Sequence, residues 1–155
     1  MKARTIALTL ALCALGVAAG FAASDAHLGT WKLNEAKSKL APGSPKNPTV
    51  TYEAAGENVK IIVDGVDADG KPTHNEWTGK FDGKSYPVTG DSSVDERVYT
   101  KVNDRTLTFE NKKSGKVTLT GRVEVSADGK TRTVTTTSTD STGKKVTNIA
   151  VYDKS

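Results

Sequence analysis

From residue 50 to residue 152 the chain alternates apolar and polar residues at period two. Successive side chains of a strand point to opposite faces, so this alternation describes strands with one dry face and one wet face. Val50, Tyr52 and Ala54 read as one dry face, then Val59, Ile61 and Val63, then Trp77, Gly79 and Phe81. The series continues through Val94, Val98 and Val102; Leu107 and Phe109; Val117, Leu119, Val123 and Val125; and Val146, Ala150 and Tyr152. Turn pairs interrupt it. Asp-Gly occurs at 64–65, 69–70, 82–83 and 128–129, and Gly56-Glu57, Gly90-Asp91, Asn103-Asp104, Ser114-Gly115 and Thr142-Gly143 add further breaks. Leaving aside 64–65, these breaks recur every 8 to 14 residues, the rhythm of consecutive hairpins. No window carries apolar residues at helical spacing over three turns, so no long helix is predicted.

The pattern predicts strands over 28–33, 50–55, 59–66, 73–81, 84–89, 94–102, 106–111, 116–126, 131–139 and 145–152. Antiparallel strands with one apolar face must close on themselves or stack in pairs. Regular hairpins without a long crossover favour an all-β, up-and-down barrel of about 8–10 strands, the alternative being a β-sandwich. Residues 34–48 form the exception. Asn34 is placed to cap one short turn, and Ala41-Pro42-Gly43-Ser44-Pro45 with Asn47-Pro48 predicts a loop over one barrel end.

Composition matters here because Leu, Ile, Val and Phe are only 24 of the 132 residues after residue 23, about 18% and in the range of disordered chains. Low net charge and sustained alternation overrule that reading. Apolar residues concentrate instead at the start. Met1-Lys2-Ala3-Arg4 is basic, Ile6 to Ala19 is apolar apart from Thr9 and Gly16, and Gly20 to Ser24 supplies small residues for cleavage. This predicts a signal peptide over 1–24, one domain over 25–155, and export to the periplasm or beyond. Cys13 lies inside the apolar run and leaves with it, so the domain is held without disulfides. The nearly balanced charge of the remainder gives no footprint for nucleic acid. No transmembrane segment is expected after signal removal, and a monomer is expected.

Gly29-Thr30-Trp31-Lys32-Leu33 opens the first strand, and this Gly-x-Trp start resembles that of the calycin superfamily, the lipocalins and fatty-acid-binding proteins. With Asn34 and Lys37-Ser38-Lys39 it is also similar to a group of uncharacterised exported bacterial proteins. The resemblance implies that Trp31 plugs the barrel floor beneath an arginine from a late strand, Arg122 or Arg132. Residues 34–48 are too few for the helix-turn-helix lid of the fatty-acid-binding proteins. Their Arg-x-Tyr carboxylate clamp near the C-terminus is absent, and Arg97-Val98-Tyr99 carries that spelling in mid-chain.

The inward aromatics away from Trp31 are the candidate ligand contacts: Trp77, Phe81, Tyr99 and Phe109. Strict alternation puts Tyr99 opposite Val98, so a bulge is needed to turn it inward. Arg97 shares that face and stands either as a charge for an acidic head group or as a solvated surface arginine. The Asn75, Trp77 and Phe81 face mixes polar and apolar groups, as a cavity wall does. Asp64-Gly65-Val66-Asp67-Ala68-Asp69-Gly70 is read as tight turns, because a calcium loop aligned on Gly70 would put Gly65 at its first ligand. With His27 and His74 and no Cys after residue 23, no closed zinc site is built. If the signal is cut after Ser24, Asp25-Ala26-His27 offers a square-planar nitrogen site for Cu(II) or Ni(II), the plain alternative being an exposed tail. No Gly-x-Ser-x-Gly elbow accompanies His74. These readings predict no enzyme and no cofactor, but an exported binding protein with an apolar or amphipathic small molecule in its barrel. The alternative is an interaction or inhibitor module whose barrel is filled by side chains.

Overall fold

The computed structural model describes residues 26–155. The predicted signal segment 1–24, with Cys13, lies outside the described residues. Ten strands follow in chain order: β1 (Gly29–Leu33), β2 (Lys46–Ala55), β3 (Asn58–Val66), β4 (Pro72–Gly79) and β5 (Asp82–Thr89) form the first half. The second half is β6 (Glu96–Asn103), β7 (Thr106–Lys113), β8 (Lys116–Val125), β9 (Thr131–Thr139) and β10 (Lys145–Lys154). Every strand pairs antiparallel with its sequence neighbour, and β1 pairs with β10, so the meander closes into a barrel. Among the described residues, no helix is long and apolar enough to cross a membrane.

Closure is made by a short strand and its continuation. β1 pairs with β10 only from Trp31 opposite Lys154 to Leu33 opposite Tyr152. Asn34 N–H then donates to Val151 C=O at 2.8 Å, and Lys39 bridges Ile149. Between them lies one 3₁₀ turn, Glu35–Lys37, capped by the Asn34 side chain accepting from Lys37 N–H. The loop that follows is pinned by Asn148, whose Oδ1 accepts from Ala41 N–H and Ser44 Oγ. β2 begins at Lys46, earlier than the Pro48-ended loop predicts. A register shift between Lys46 and Thr49 accommodates Pro48, which has no N–H to give the ladder. Asp64-Gly65 likewise lies inside β3 rather than in a turn.

The barrel has two ends. The floor carries residues 26–28 and the β2–β3, β4–β5, β6–β7 and β8–β9 turns; the mouth carries residues 34–45 and the remaining turns. Trp31, Ile61, Leu107 and Val123 are essentially inaccessible to solvent and belong to one apolar cluster with Val59, Trp77, Val125 and Tyr152. The thinnest part of the wall is the β4–β5 seam, paired only at Glu76–Thr89 and Trp77–Val88. The Tyr86 ring lies against Gly79, where a Cβ would collide with it, and is edge-on to Trp77 at 5.7 Å.

One predicted face is reversed, and another loses a single residue. In β6, Arg97 and Tyr99 are buried and line the interior, while Val98 faces an outer groove with Thr100, Thr108 and Glu110, and Val102 is exposed. The Tyr99 ring is buried against Trp77, Phe81 and Phe109, while Val98 on the opposite face is still only 8% exposed. In β8, Val117 is exposed because the pairing with β7 shifts between Asn111 and Lys112, so Val117 and Leu119 no longer share a face.

Candidate functional site

A cavity of about 430 Å³ remains inside the closed barrel. Tyr52, Tyr152 and Arg132 line it toward the floor, Tyr99 and Phe109 at mid-height, and Asn75, Arg97 and Asn111 toward the mouth. Pro45, Asn47, Asp67 and the turn Gly90–Val94 surround its mouth end. Gly121, opposite Phe109 in the ladder, has no side chain, which leaves room for the Phe109 ring. The Phe109 ring lies over it where a Cβ would stand.

The floor is built from an indole and a guanidinium. Trp31 is fully buried and its Nε1–H donates to His27 C=O at 3.0 Å, tying the entering segment to β1. The Arg132 guanidinium sits 5.3 Å from the Trp31 ring centroid, 4.9 Å from Tyr52 and 4.7 Å from Tyr152. Arg132 Nε and Nη1 have no hydrogen-bond partner, and its guanidinium also hydrogen-bonds Tyr152 while the three ring faces surround its charge. Arg132, from β9, is thus the arginine beside Trp31. Arg122 is on the outer face of β8, paired with Glu124 at 3.1 Å. The expectation that either could serve is corrected accordingly: one residue position along a strand exchanges inside for outside.

Nearer the mouth, Arg97 is buried and its Nε donates to Asn111 Oδ1 at 2.6 Å. Its place in the cavity wall, rather than in solvent, follows from the inward turn of Tyr99 two residues on. Asn75 is also buried, and its Oδ1 has no hydrogen-bond partner. Burial raises the phenol pKa of Tyr99 well above its ordinary value, and that of Tyr152 as well, so both are neutral donors.

Of the predicted ligand contacts, Tyr99, Phe109 and Arg97 line the cavity, and Trp77 and Phe81 do not. Trp77 is packed into the wall behind Tyr99, 4.8 Å between ring centroids, and stacks on Phe81 at 6.2 Å. Its Nε1–H needs an acceptor away from water and finds Arg97 C=O at 3.0 Å, which fixes the ring away from the lumen. Phe81 packs on toward the floor against His27. Tyr52, Tyr152 and Asn111 were not among the predicted contacts. The alternation already places Tyr52 and Tyr152 on inward faces, and Asn111 lies two residues from inward Phe109, so strand parity reaches all three.

His27 is neither an exposed tail nor placed for chelation. Its imidazole is completely buried, with Tyr52 and Phe81 rings 6.4 and 6.3 Å away and neither ring nitrogen hydrogen-bonded. Burial first, then Arg132 and Lys101, push its pKa down to about 4. An amino-terminal copper site needs this ring at the surface, which the fold denies. His74 lies on the outer wall, its Nδ1 2.6 Å from Asp64 and Nε2 3.4 Å from Glu76, and those hydrogen bonds raise its pKa. Asp67 Oδ1 accepts from the N–H groups of Asp69 and Lys71, so it serves its own turn rather than a calcium ion. Among the described residues, no group of three or more His, Cys, Asp or Glu is arranged to hold a metal ion.

No family model matches the chain, and no curated protein matches it. Solved structures similar to it include one described as EF1p2_mFAP2b bound to DFHBI, at 10% identity and TM-score 0.47, covering 86% of this chain and 97% of that one. Another is a redesigned beta barrel, mFAP1, bound to DFHBI, at 17% identity and TM-score 0.45, covering 85% of this chain and 98% of that one. The barrel assignment rests on the chain's own strand register.

Proposed function

We propose that this chain is an exported, monomeric binding protein that holds a small amphipathic molecule in the barrel and performs no catalysis. The observation that carries the reading is the cavity of about 430 Å³ left inside the closed wall. Sites for small ligands span roughly 300–1,000 Å³ and combine apolar walls with a few convergent polar groups. Here the walls are Val50, Val63, Phe109, Leu119 and Val134, and the polar groups include Arg97 and Arg132. Neither arginine forms an ion pair among the described residues, and no Asp or Glu lines the cavity below the mouth turns. A guanidinium stays protonated at any physiological pH and is costly to bury without a counter-charge. Arg132 has its three rings; Arg97 has one neutral amide. An acidic head group on the ligand would supply what Arg97 lacks.

Native mass spectrometry of the protein purified from its own host tests the reading. A co-purified acid of a few hundred daltons is the expected result. A bare polypeptide mass, with no thermal shift from fatty acids, retinoids or isoprenoid lipids, would favour the filled-barrel interaction module.

A further inference from the structure

Residues 26–28 turn into the barrel floor ahead of β1 and belong to no strand. Ala26 and Leu28 pack partly buried against the apolar cluster, and His27 between them is completely buried. The segment enters β1 through Gly29, which has a φ of 117° and whose missing Cβ leaves room for the Lys154 side chain. It is fastened by Trp31 Nε1–H donating to His27 C=O at 3.0 Å, a side-chain bond rather than a ladder pair. The three residues can therefore swing out about Gly29 while every strand keeps its partner.

Chemically, His27 is a poor anchor. Its ring rests near Tyr52 of β2 and Phe81 of the β4–β5 turn, and neither ring nitrogen has a hydrogen-bond partner. Phe or Leu would fill such a place without leaving polar atoms unpaired. The imidazole is costly there when neutral and far more costly when charged. The charges that reach it, Arg132 of β9 and Lys101 of β6, are both positive. The carboxylates of the surrounding turns are engaged elsewhere: Asp104 with Lys101, Glu57 with Lys80, Asp82 with the Tyr86 hydroxyl and Lys84 N–H, and Asp128 with the Ser126 hydroxyl and Lys130 N–H. A proton on His27 therefore adds a further positive charge to a dry pocket that holds no anion.

We propose that residues 26–28 are an acid-released plug: protonation of His27 expels this segment from the floor while the ten-stranded wall stays closed. Departure of the ring takes one support from Tyr52, which lines the cavity, so acid loosens the cavity from its closed end.

Hydrogen exchange of the two indole N–H groups, followed by NMR, tests this in the unaltered chain. Trp31 Nε1–H is bonded to the plug, and Trp77 Nε1–H to Arg97 C=O in the wall. After correction for intrinsic exchange, protection of the Trp31 N–H should fall about tenfold per pH unit below 6.5, level off near pH 4, and not respond to about 1 M urea. Trp77 should be at least about a hundredfold better protected and should lose protection in urea, because its exchange needs the whole barrel to open. His27→Phe should hold Trp31 protection constant across the same pH range. Equal protection and equal urea sensitivity of the two indoles would overturn the inference, since the segment would then leave only on global unfolding. A Trp31 protection that does not change with pH, or that changes as much in His27→Phe, would overturn it too. The comparison of the two indoles needs no variant, so a misfolded His27→Phe protein does not obstruct it.

Discussion

Lowering the pH should weaken this barrel in a window set by one residue, His27. The imidazole is sealed in the floor with neither nitrogen hydrogen-bonded, and its pKa falls from 6.5 to about 4. Between these values the unfolded chain binds a proton that the folded chain refuses, so stability is full above pH 6.5 and declines as pH falls toward 4. Each pH unit of that window costs about 1.4 kcal/mol, so the whole of it costs about 3 kcal/mol. Against a typical total of roughly 5–15 kcal/mol this is a large fraction. Other groups act outside this window. Glu76, Asp82, Asp95, Asp128, Asp140 and Asp153 have lowered pKa values and are exposed, so their contributions fade only as pH drops through the carboxylate range. His74 has a raised pKa, so its contribution is present below 6.5 and fades as pH rises through its folded value. Urea unfolding followed by tryptophan emission should show a loss of about 2 kcal/mol between pH 6.5 and pH 5 in the wild-type protein. His27→Leu should flatten most of that slope and be the more stable protein at pH 5. Parallel pH slopes for the two proteins would refute the burial argument, as would an NMR titration of His27 with a midpoint near 6.5.

Trp31→Ala should cost about 3–5 kcal/mol, because it empties the floor and removes one of the three rings around Arg132; a melting temperature within a degree or two of wild type would show that Trp31 does not hold the floor. Gly121→Ala should cost about 1–3 kcal/mol by forcing the Phe109 ring aside, and Phe109→Leu in the same chain should recover most of it in denaturant titrations. The unfolding midpoint of residues 26–155 should be unchanged by reductant, since this span contains no cysteine; a shift would contradict a fold held by packing and ladder bonds alone.

The ten strands could be read from the sequence because alternation and turn chemistry are local. Asp69-Gly70 and Asp128-Gly129 break the chain where they stand, and one tertiary fold or another leaves those breaks in place. Asn34 capping a single turn is local in the same sense. The absence of any long crossover favoured a barrel over a sandwich, but closure is seen only in the structure, where Trp31 opposite Lys154 joins the two ends of a regular meander. What the sequence could not decide was which face of certain strands is inside. A bulge moves every later side chain to the other face, and neither the shift at Asn111–Lys112 that exposes Val117 nor the packing that turns Tyr99 and Arg97 inward has a local signature. Trp77 illustrates the same limit. Its inward parity was legible, but its place in the wall behind Tyr99 depends on an acceptor, Arg97 C=O, that only the folded β6 presents. The burial of His27 and the unpaired Asn75 oxygen are likewise properties of surroundings supplied by several strands at once. Strand identity is written in neighbours along the chain, whereas the cavity and its charges are written in neighbours across the barrel, and only closure brings those together.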